Sequence, residues 1–252
     1  MTTTISYETR GHVGTLTLNN PDKHNSLGRQ EFELIHAALA TVAAEPDTRV
    51  LVLTGAGRKT FCAGASLVEM KSGAISGEDY QAMTDAFAAL SIPTICAVNG
   101  DVFGGGVELA LSCDFRIGME GITMRVPAAS IGLCYPPRGI ERFVEKLGVT
   151  MAKRVLVAAE TFTADEMFQA GLLDHLVMPT QLDETVAGYA ERLAGLAPLA
   201  VTAMKSIIQQ VGKSGVNQDH IARLSQRCAE STDLAEGFAA IAEKRQPLFR
   251  GS

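Results

Sequence analysis

The chain lacks any excess of basic residues: 22 Lys and Arg stand against 28 Asp and Glu, a formal net charge of −6. That balance excludes nucleic acid or an anionic membrane surface as the main expected partner, although a few local Lys and Arg would suffice for a phosphate-bearing ligand. No apolar run reaches transmembrane length without a polar interruption, so no membrane partner is expected. The opening MTTTISYETRG has no basic start followed by an apolar stretch, so no signal peptide is read there and a cytoplasmic location is expected. Cysteine pairs are missing too. Cys62, Cys96, Cys113, Cys134 and Cys228 are dispersed, with no Cys-x-x-Cys, which suits reduced thiols rather than a disulfide framework. The five histidines form no HExxH-like pattern, and no metal site is expected.

What is present is a soluble globular composition, 46% hydrophobic and 20% charged, on 252 residues, enough for a substantial α/β core. The stretch AVNGDVFGGGVELALS, residues 97–112, organises the chain. Ile95 to Val98 reads as a buried strand, Asn99-Gly100 breaks it, and Gly104-Gly105-Gly106 leads into the helical pattern Val107 to Leu111. Consecutive glycines at a helix start leave N–H groups that a ligand can approach closely, at the positive end of the helix dipole. Such donors suit an anion or a developing oxyanion. Glu108 falls in the first turn of this helix, where it could be no more than a favourable helix-start charge. A second turn of the same kind, Phe61-Cys62-Ala63-Gly64-Ala65-Ser66-Leu67, follows the strand Val50 to Thr54. Two such turns can each aim one N–H at a single oxygen, the geometry of a two-donor oxyanion hole.

Along the rest of the chain, Ser6–Thr9 and His12–Asn19 read as a hairpin, 20–26 as a loop and Gln30–Ala44 as an amphipathic helix. The segment 71–79 reads as a mobile Gly/Ser-rich loop before a helix at Tyr80–Leu90. Phe115–Ile117 reads as a strand, and helices are expected at about 138–146, 149–158, 163–170, 181–195, 197–211, 216–231 and 233–245. Strands alternating with helices, then a helical tail, give an α/β core over residues 1–195 and a C-terminal helical region over 196–252.

The segments FCAGASL and NGDVFGGGVELALSCD resemble those of the crotonase superfamily, the enoyl-CoA hydratase/isomerase family, which read FxAGADL and NGxxxGGGxELAxxCD. The resemblance runs from Thr17-Leu18-Asn19 to Lys244-Arg245-Gln246-Pro247-Leu248-Phe249. It implies a spiral of ββα units whose C-terminal helices build a homotrimer or a dimer of trimers. It also implies an acyl-CoA thioester as partner, with CoA as part of the substrate and no covalently bound cofactor. Carried across residue by residue, the oxyanion hole falls on Ala65 and Gly105, and the first of two hydratase glutamates on Glu108. The CoA moiety would use Lys23, His24 and Ser26 of the first loop, Ala63 and Leu67 around the oxyanion turn, and Lys244 with Phe249 of the tail.

Three positions depart from the pattern. The second hydratase glutamate lies in a segment like FGQPEILLG, and here MRVPAASIG puts Ala128 at that place. Alanine exchanges no proton, so efficient hydration is not expected. Tyr135, three residues beyond Gly132, resembles the tyrosine of methylmalonyl-CoA decarboxylase, a superfamily member without the second glutamate. Tyr135 would hold a departing carboxylate, or else pack behind the turn with its hydroxyl on backbone. Ser66 stands where the family has Asp, which is expected to alter turn hydrogen bonding more than chemistry, and Cys134 is read as an inert thiol. The expected function is therefore enolate stabilisation on an acyl-CoA thioester, with decarboxylation or isomerisation favoured over hydration and non-catalytic acyl-CoA binding as the alternative.

Overall fold

The structure is a computed structural model that describes residues 3–212 and 217–252. Each turn of the chain places one strand in each of two sheets. Strands β1 (Ile5–Arg10), β2 (Val13–Leu18), β3 (Val50–Gly55), β5 (Thr94–Val98), β7 (Phe115–Met119) and β10 (His175–Val177) form a six-stranded sheet in that order. Apart from the β1–β2 hairpin, its neighbours run parallel. Strands β4 (Thr60–Cys62), β6 (Asp101–Phe103), β8 (Thr123–Arg125) and β9 (Thr161–Thr163) form the second sheet. The pairs β3/β4, β5/β6 and β7/β8 are successive ββ arms of a spiral. Burial follows this plan: β5 is buried at every residue and β3 at all but Thr54, as parallel strands covered on both faces should be, whereas β2 alternates.

The second sheet fixes where chemistry can occur. β4, β6 and β8 are adjacent and parallel, with Cys62 opposite Val102 and Phe103 opposite Arg125. Their carboxyl ends therefore lie side by side, and the segments that leave them are 63–66, 104–105 and 126–128. Ligands in open α/β sheets bind at such strand ends. These strands are three residues long, below the length at which alternation can be read, and none of them is visible in the sequence pattern.

Helices α1 (Arg29–Ala44), α2 (Leu67–Ser72), α3 (Gly77–Ala89), α4 (Gly105–Ser112), α5 (Pro137–Leu156), α6 (Ala164–Gln169), α7 (Leu182–Ala194), α8 (Pro198–Gly212), α9 (Gln218–Ala229) and α10 (Thr232–Glu243) complete the chain. The expected loop at 71–79 is instead the end of α2, a left-handed Gly73 and the start of α3. Ser76 caps α3 by accepting from the Asp79 amide at 3.1 Å, while its own amide donates to the Asp79 carboxylate at 2.8 Å. That reciprocal capping box orders a segment whose composition alone suggests mobility. The two helices expected at 138–146 and 149–158 are both present within α5, separated by Gly148 at φ 76° and ψ 163°. The helix expected at 216–231 appears as α9, and position 216 lies outside the described residues.

Buried amides tie the spiral turns together. The Asn99 side chain donates to the carbonyls of Gly55 at 2.6 Å and Gly57 at 2.7 Å, and its oxygen accepts from the Gly55 amide at 3.1 Å. Asn25 donates to the Thr60 carbonyl at 2.8 Å and holds the first loop against β4. Asn99→Ala leaves buried backbone groups at the end of β3 without partners. A loss of about 2–3 kcal/mol is expected by chemical denaturation; a loss within ~0.5 kcal/mol would show that the bridge is dispensable.

Candidate active site

The carboxyl ends of β4, β6 and β8 open onto a cavity of about 200 Å³. Its wall is mostly apolar and includes Ala63, Ala65, Leu67, Tyr80, Gly105, Glu108, Ala128 and Tyr135. The first wall is the turn after β4. Leu27 donates to the Gly64 carbonyl and accepts from the Ser66 amide, both at 2.8 Å, in an isolated parallel bridge centred on Ala65. Strand geometry then turns the N–H of Ala65 away from Leu27, and Ala65 lines the cavity. The second wall is the start of α4, where Gly105 is the first helical residue and its N–H has no partner within the helix. Gly64, at φ 84°, lets the two turns meet: a Cβ there would lie 2.4 Å from the Gly105 nitrogen. The two expected oxyanion donors thus arise on adjacent turns lining one cavity.

Glu108 faces the same cavity from one turn further along α4 and is 1% exposed. Its Oε1 accepts from Arg142 Nη1 at 2.7 Å and lies 3.0 Å from the Thr84 hydroxyl; its Oε2 accepts from the Tyr135 hydroxyl at 2.9 Å. Arg142 is held in turn by Asp85 at 2.6 Å, and Asp85 also pairs with Arg138. Burial pushes the Glu108 carboxyl above its ordinary value, against the opposing pull of Tyr135, Arg142 and Thr84. Oε1 is saturated by its two neighbours. Oε2, with one donor, retains a free lone pair and is the oxygen able to exchange a proton with a ligand. Among the described residues Glu108 is the only carboxylate on this wall, and none of the described Lys or Arg lines it.

The Tyr135 hydroxyl does not bond backbone, as one of its two expected roles required. Tyr135 is half-buried, its ring packs edge-on against Phe143, and its hydroxyl bonds the Glu108 carboxylate rather than backbone. Ala128 lines the cavity, so no second carboxylate stands at that place. Ser66 caps α2 through the Glu69 amide, a role an Asp could equally fill. Cys134 is exposed and is not among the lining residues.

The expected CoA residues divide. Ala63 and Leu67 line the cavity. Lys23, His24 and Ser26 do not line it, but their loop runs along its edge, where the His24 carbonyl accepts from the Ala63 amide at 3.0 Å. Within one chain Lys244 and Phe249 lie elsewhere. Lys244 ends α10, and Phe249 lines a separate groove beside Arg10, His12 and Arg49. Thr84, Asp85, Arg142 and Tyr80 were not singled out from sequence. They lie on α3 and α5, far in the chain from either glycine turn, and carry no spacing that marks them.

An α/β spiral that sets two glycine-turn donors above a buried carboxylate is the arrangement of the crotonase fold. The sequence profile described as Enoyl-CoA hydratase/isomerase matches residues 8–252. Among curated relatives, the (E)-benzylidenesuccinyl-CoA hydratase of Thauera aromatica is 32% identical over 98% of this chain and 99% of that protein. The carnitinyl-CoA dehydratase of Proteus mirabilis is 29% identical over the full length of both. The crystal structure of an enoyl-CoA hydratase from Bacillus anthracis superposes with a TM-score of 0.90 at 30% identity, covering 99% of this chain and all of that one. The chain belongs to the enoyl-CoA hydratase/isomerase family of the crotonase superfamily.

The network sets a testable electrostatic property. Glu108 should titrate above its ordinary value, and its charged form is the one that Tyr135 stabilises. Tyr135→Phe removes that bond and should move the titration further up. Infrared difference spectra, with Glu108→Gln assigning the band, read this directly; an unchanged or lower midpoint in Tyr135→Phe would contradict the geometry.

Proposed function

We propose that the protein acts on an acyl-CoA thioester, with the N–H groups of Ala65 and Gly105 stabilising an enolate and Glu108 as its sole proton shuttle. The reaction best suited to one carboxylate is migration of a double bond. Glu108 Oε2 takes a proton from C2 of a 3-enoyl thioester, the electron pair passes to the thioester oxygen as a dienolate, and the same carboxylic acid returns the proton at C4. The product is the 2-enoyl isomer, and no second acid or water is needed. The observation that carries this reading is that, among the described residues, Glu108 alone supplies a carboxylate to the cavity, with Oε1 anchored and Oε2 free to exchange.

Decarboxylation of a malonyl-type thioester is less well supported. Its carboxylate would enter beside Glu108 with no cation on the wall, and the one proton of Tyr135 is already given to Glu108. Pure acyl-CoA binding leaves unexplained why a carboxylate is buried at a desolvation cost where binding needs none. The CoA portion would run along the 23–26 loop past Ala63 and Leu67. Exposed apolar side chains on the last helices and tail, including Ile208, Phe238, Ile241 and Leu248, support a homotrimer or a dimer of trimers, which light scattering would test. Among the described residues no helix is long and apolar enough to cross a membrane.

On a 3-enoyl-CoA substrate, Glu108→Gln should lower turnover on the order of 10²–10⁴-fold. Tyr135→Phe should stay within about tenfold of the parent once Glu108 is ionised, because the bond it loses modulates the charge on Glu108 Oε2 but leaves the base itself in place. Fast release of CO₂ from malonyl-CoA, cut ten- to a hundredfold by Tyr135→Phe, would instead establish decarboxylation. Crotonyl-CoA hydration should be feeble in the parent and rise measurably in Ala128→Glu. An efficient parent hydratase would contradict the reading of Ala128.

A further inference from the structure

Behind the cavity wall lies a second buried ion that the reaction itself does not use. The Arg142 side chain is only 9% exposed, and its guanidinium is divided among three partners on two helices. Nη1 donates to Glu108 Oε1 on α4 at 2.7 Å and to the Thr84 hydroxyl on α3 at 2.8 Å, while Nη2 donates to Asp85 on α3 at 2.6 Å. A lysine ammonium has no planar fork with which to span three such partners. The other oxygen of Asp85 is held by the exposed Arg138. Arg138, Asp85, Arg142 and Glu108 thus form a chain of alternating charge that runs from the surface to the cavity. Arg142 does not line the cavity, so it meets a ligand only through Glu108. Buried ion pairs can often be replaced by apolar side chains at little cost in stability, so stability alone is a weak reason for one here.

Two consequences follow for Glu108. A charged bond to Oε1 fixes the plane of the carboxylate, and with it the direction in which Oε2 presents its free lone pair. The second consequence is electrostatic. The titratable groups around Glu108 are Arg142 on α5, Tyr135 just before it, Tyr80 and Asp85 on α3, and Cys62 of β4 beside the two tyrosines. Burial holds Tyr80 and Tyr135 well above the usual phenol value and pushes Cys62 up to about 12, so all three are neutral. Burial also raises Glu108; of its charged neighbours, Arg142 opposes that rise and Asp85 adds to it. Resting on the reading of Glu108 as the proton shuttle, we propose that Arg142 is a positioning residue for that shuttle and that Asp85 holds Arg142 in place. Arg142 sets the direction in which Oε2 meets the carbon next to the thioester and touches no reacting atom itself.

Deuterium uptake from D₂O into butanoyl-CoA, followed across a pH series on the full-length protein, tests this, with butanoyl-CoA affinity measured by calorimetry. The plateau rate above the Glu108 titration reads orientation, and the midpoint reads ionisation. Arg142→Met should lower the plateau on the order of ten- to a hundredfold and move the midpoint up, with affinity within about twofold of the parent. Arg142→Lys returns the positive charge without the fork, so its midpoint should move back toward the parent's while its plateau stays low. Asp85→Asn leaves Arg142 charged but loosely held, and its plateau should also fall. An Asp85 that acted only as a nearby charge would instead lower the midpoint and leave the plateau alone. A parent-like plateau in Arg142→Met or in Asp85→Asn overturns the proposal, and so does a loss confined to affinity. Should the Arg142 variants not fold, Asp85→Asn, at a half-buried position, decides the matter alone. A parent that binds butanoyl-CoA without taking up deuterium removes the proton-shuttle reading itself, and this inference with it.

Discussion

The site depends on the close approach of two backbone turns. Gly64 and Gly105 come from different turns of the spiral, 41 positions apart, yet a single methyl group at Gly64 would collide with the Gly105 nitrogen. Parallel pairing of β4 with β6 brings the strand ends together, and the left-handed conformation at Gly64 turns the chain there. Around that contact the fold is braced by backbone and amide bonds rather than by charge. Leu27 zips the first loop to the turn, Asn25 and Asn99 satisfy strand-end carbonyls, and the Gly104 amide donates to the Arg125 carbonyl at 2.9 Å. Preorganised donors of this kind cost no reorganisation when negative charge develops on a ligand oxygen.

The second element is a buried carboxylate whose two oxygens have unequal duties. Arg142 and Thr84 fix Oε1, and Asp85 fixes Arg142 from behind, so the carboxylate keeps one orientation. Oε2 shares only the Tyr135 proton. Burial raises the carboxyl's pKa, and Tyr135, Arg142 and Thr84 pull against that rise. A single such group suits a proton that leaves and returns on one face of an enolate. Addition of water would call for a partner where Ala128 stands.

Much of this was legible in the sequence because it is local. The GGG and AGAS turns, the strands Val50–Thr54 and Ile95–Val98, and the helix pair around Gly148 are all written in short windows of residue type. Glu108 is identified by its place in the same motif. What escaped is what only three dimensions assemble. Strands of three residues carry no periodicity, so the second sheet, and with it the reason the two turns meet, was invisible as pattern. Arg142, Asp85 and Thr84 are ordinary helix residues until α3 and α5 pack against α4. Tyr135 stands out beside a glycine turn in the sequence, but its partner is a carboxylate 27 positions earlier, which no local window shows. Lys244 and Phe249 read as neighbours of the ligand from the tail motif alone, and within one chain neither lines the cavity, Phe249 lining a separate groove.

The central claim is that Glu108 moves a proton on an enolate held by Ala65 and Gly105. Its most direct test is exchange with solvent deuterium: a saturated acyl-CoA such as butanoyl-CoA is incubated with the protein in D₂O and analysed by mass spectrometry. Incorporation at the carbon next to the thioester in the parent, lost in Glu108→Gln although the thioester is still bound, is the predicted result. Binding without any deuterium uptake in the parent, or uptake that persists in Glu108→Gln, would contradict it.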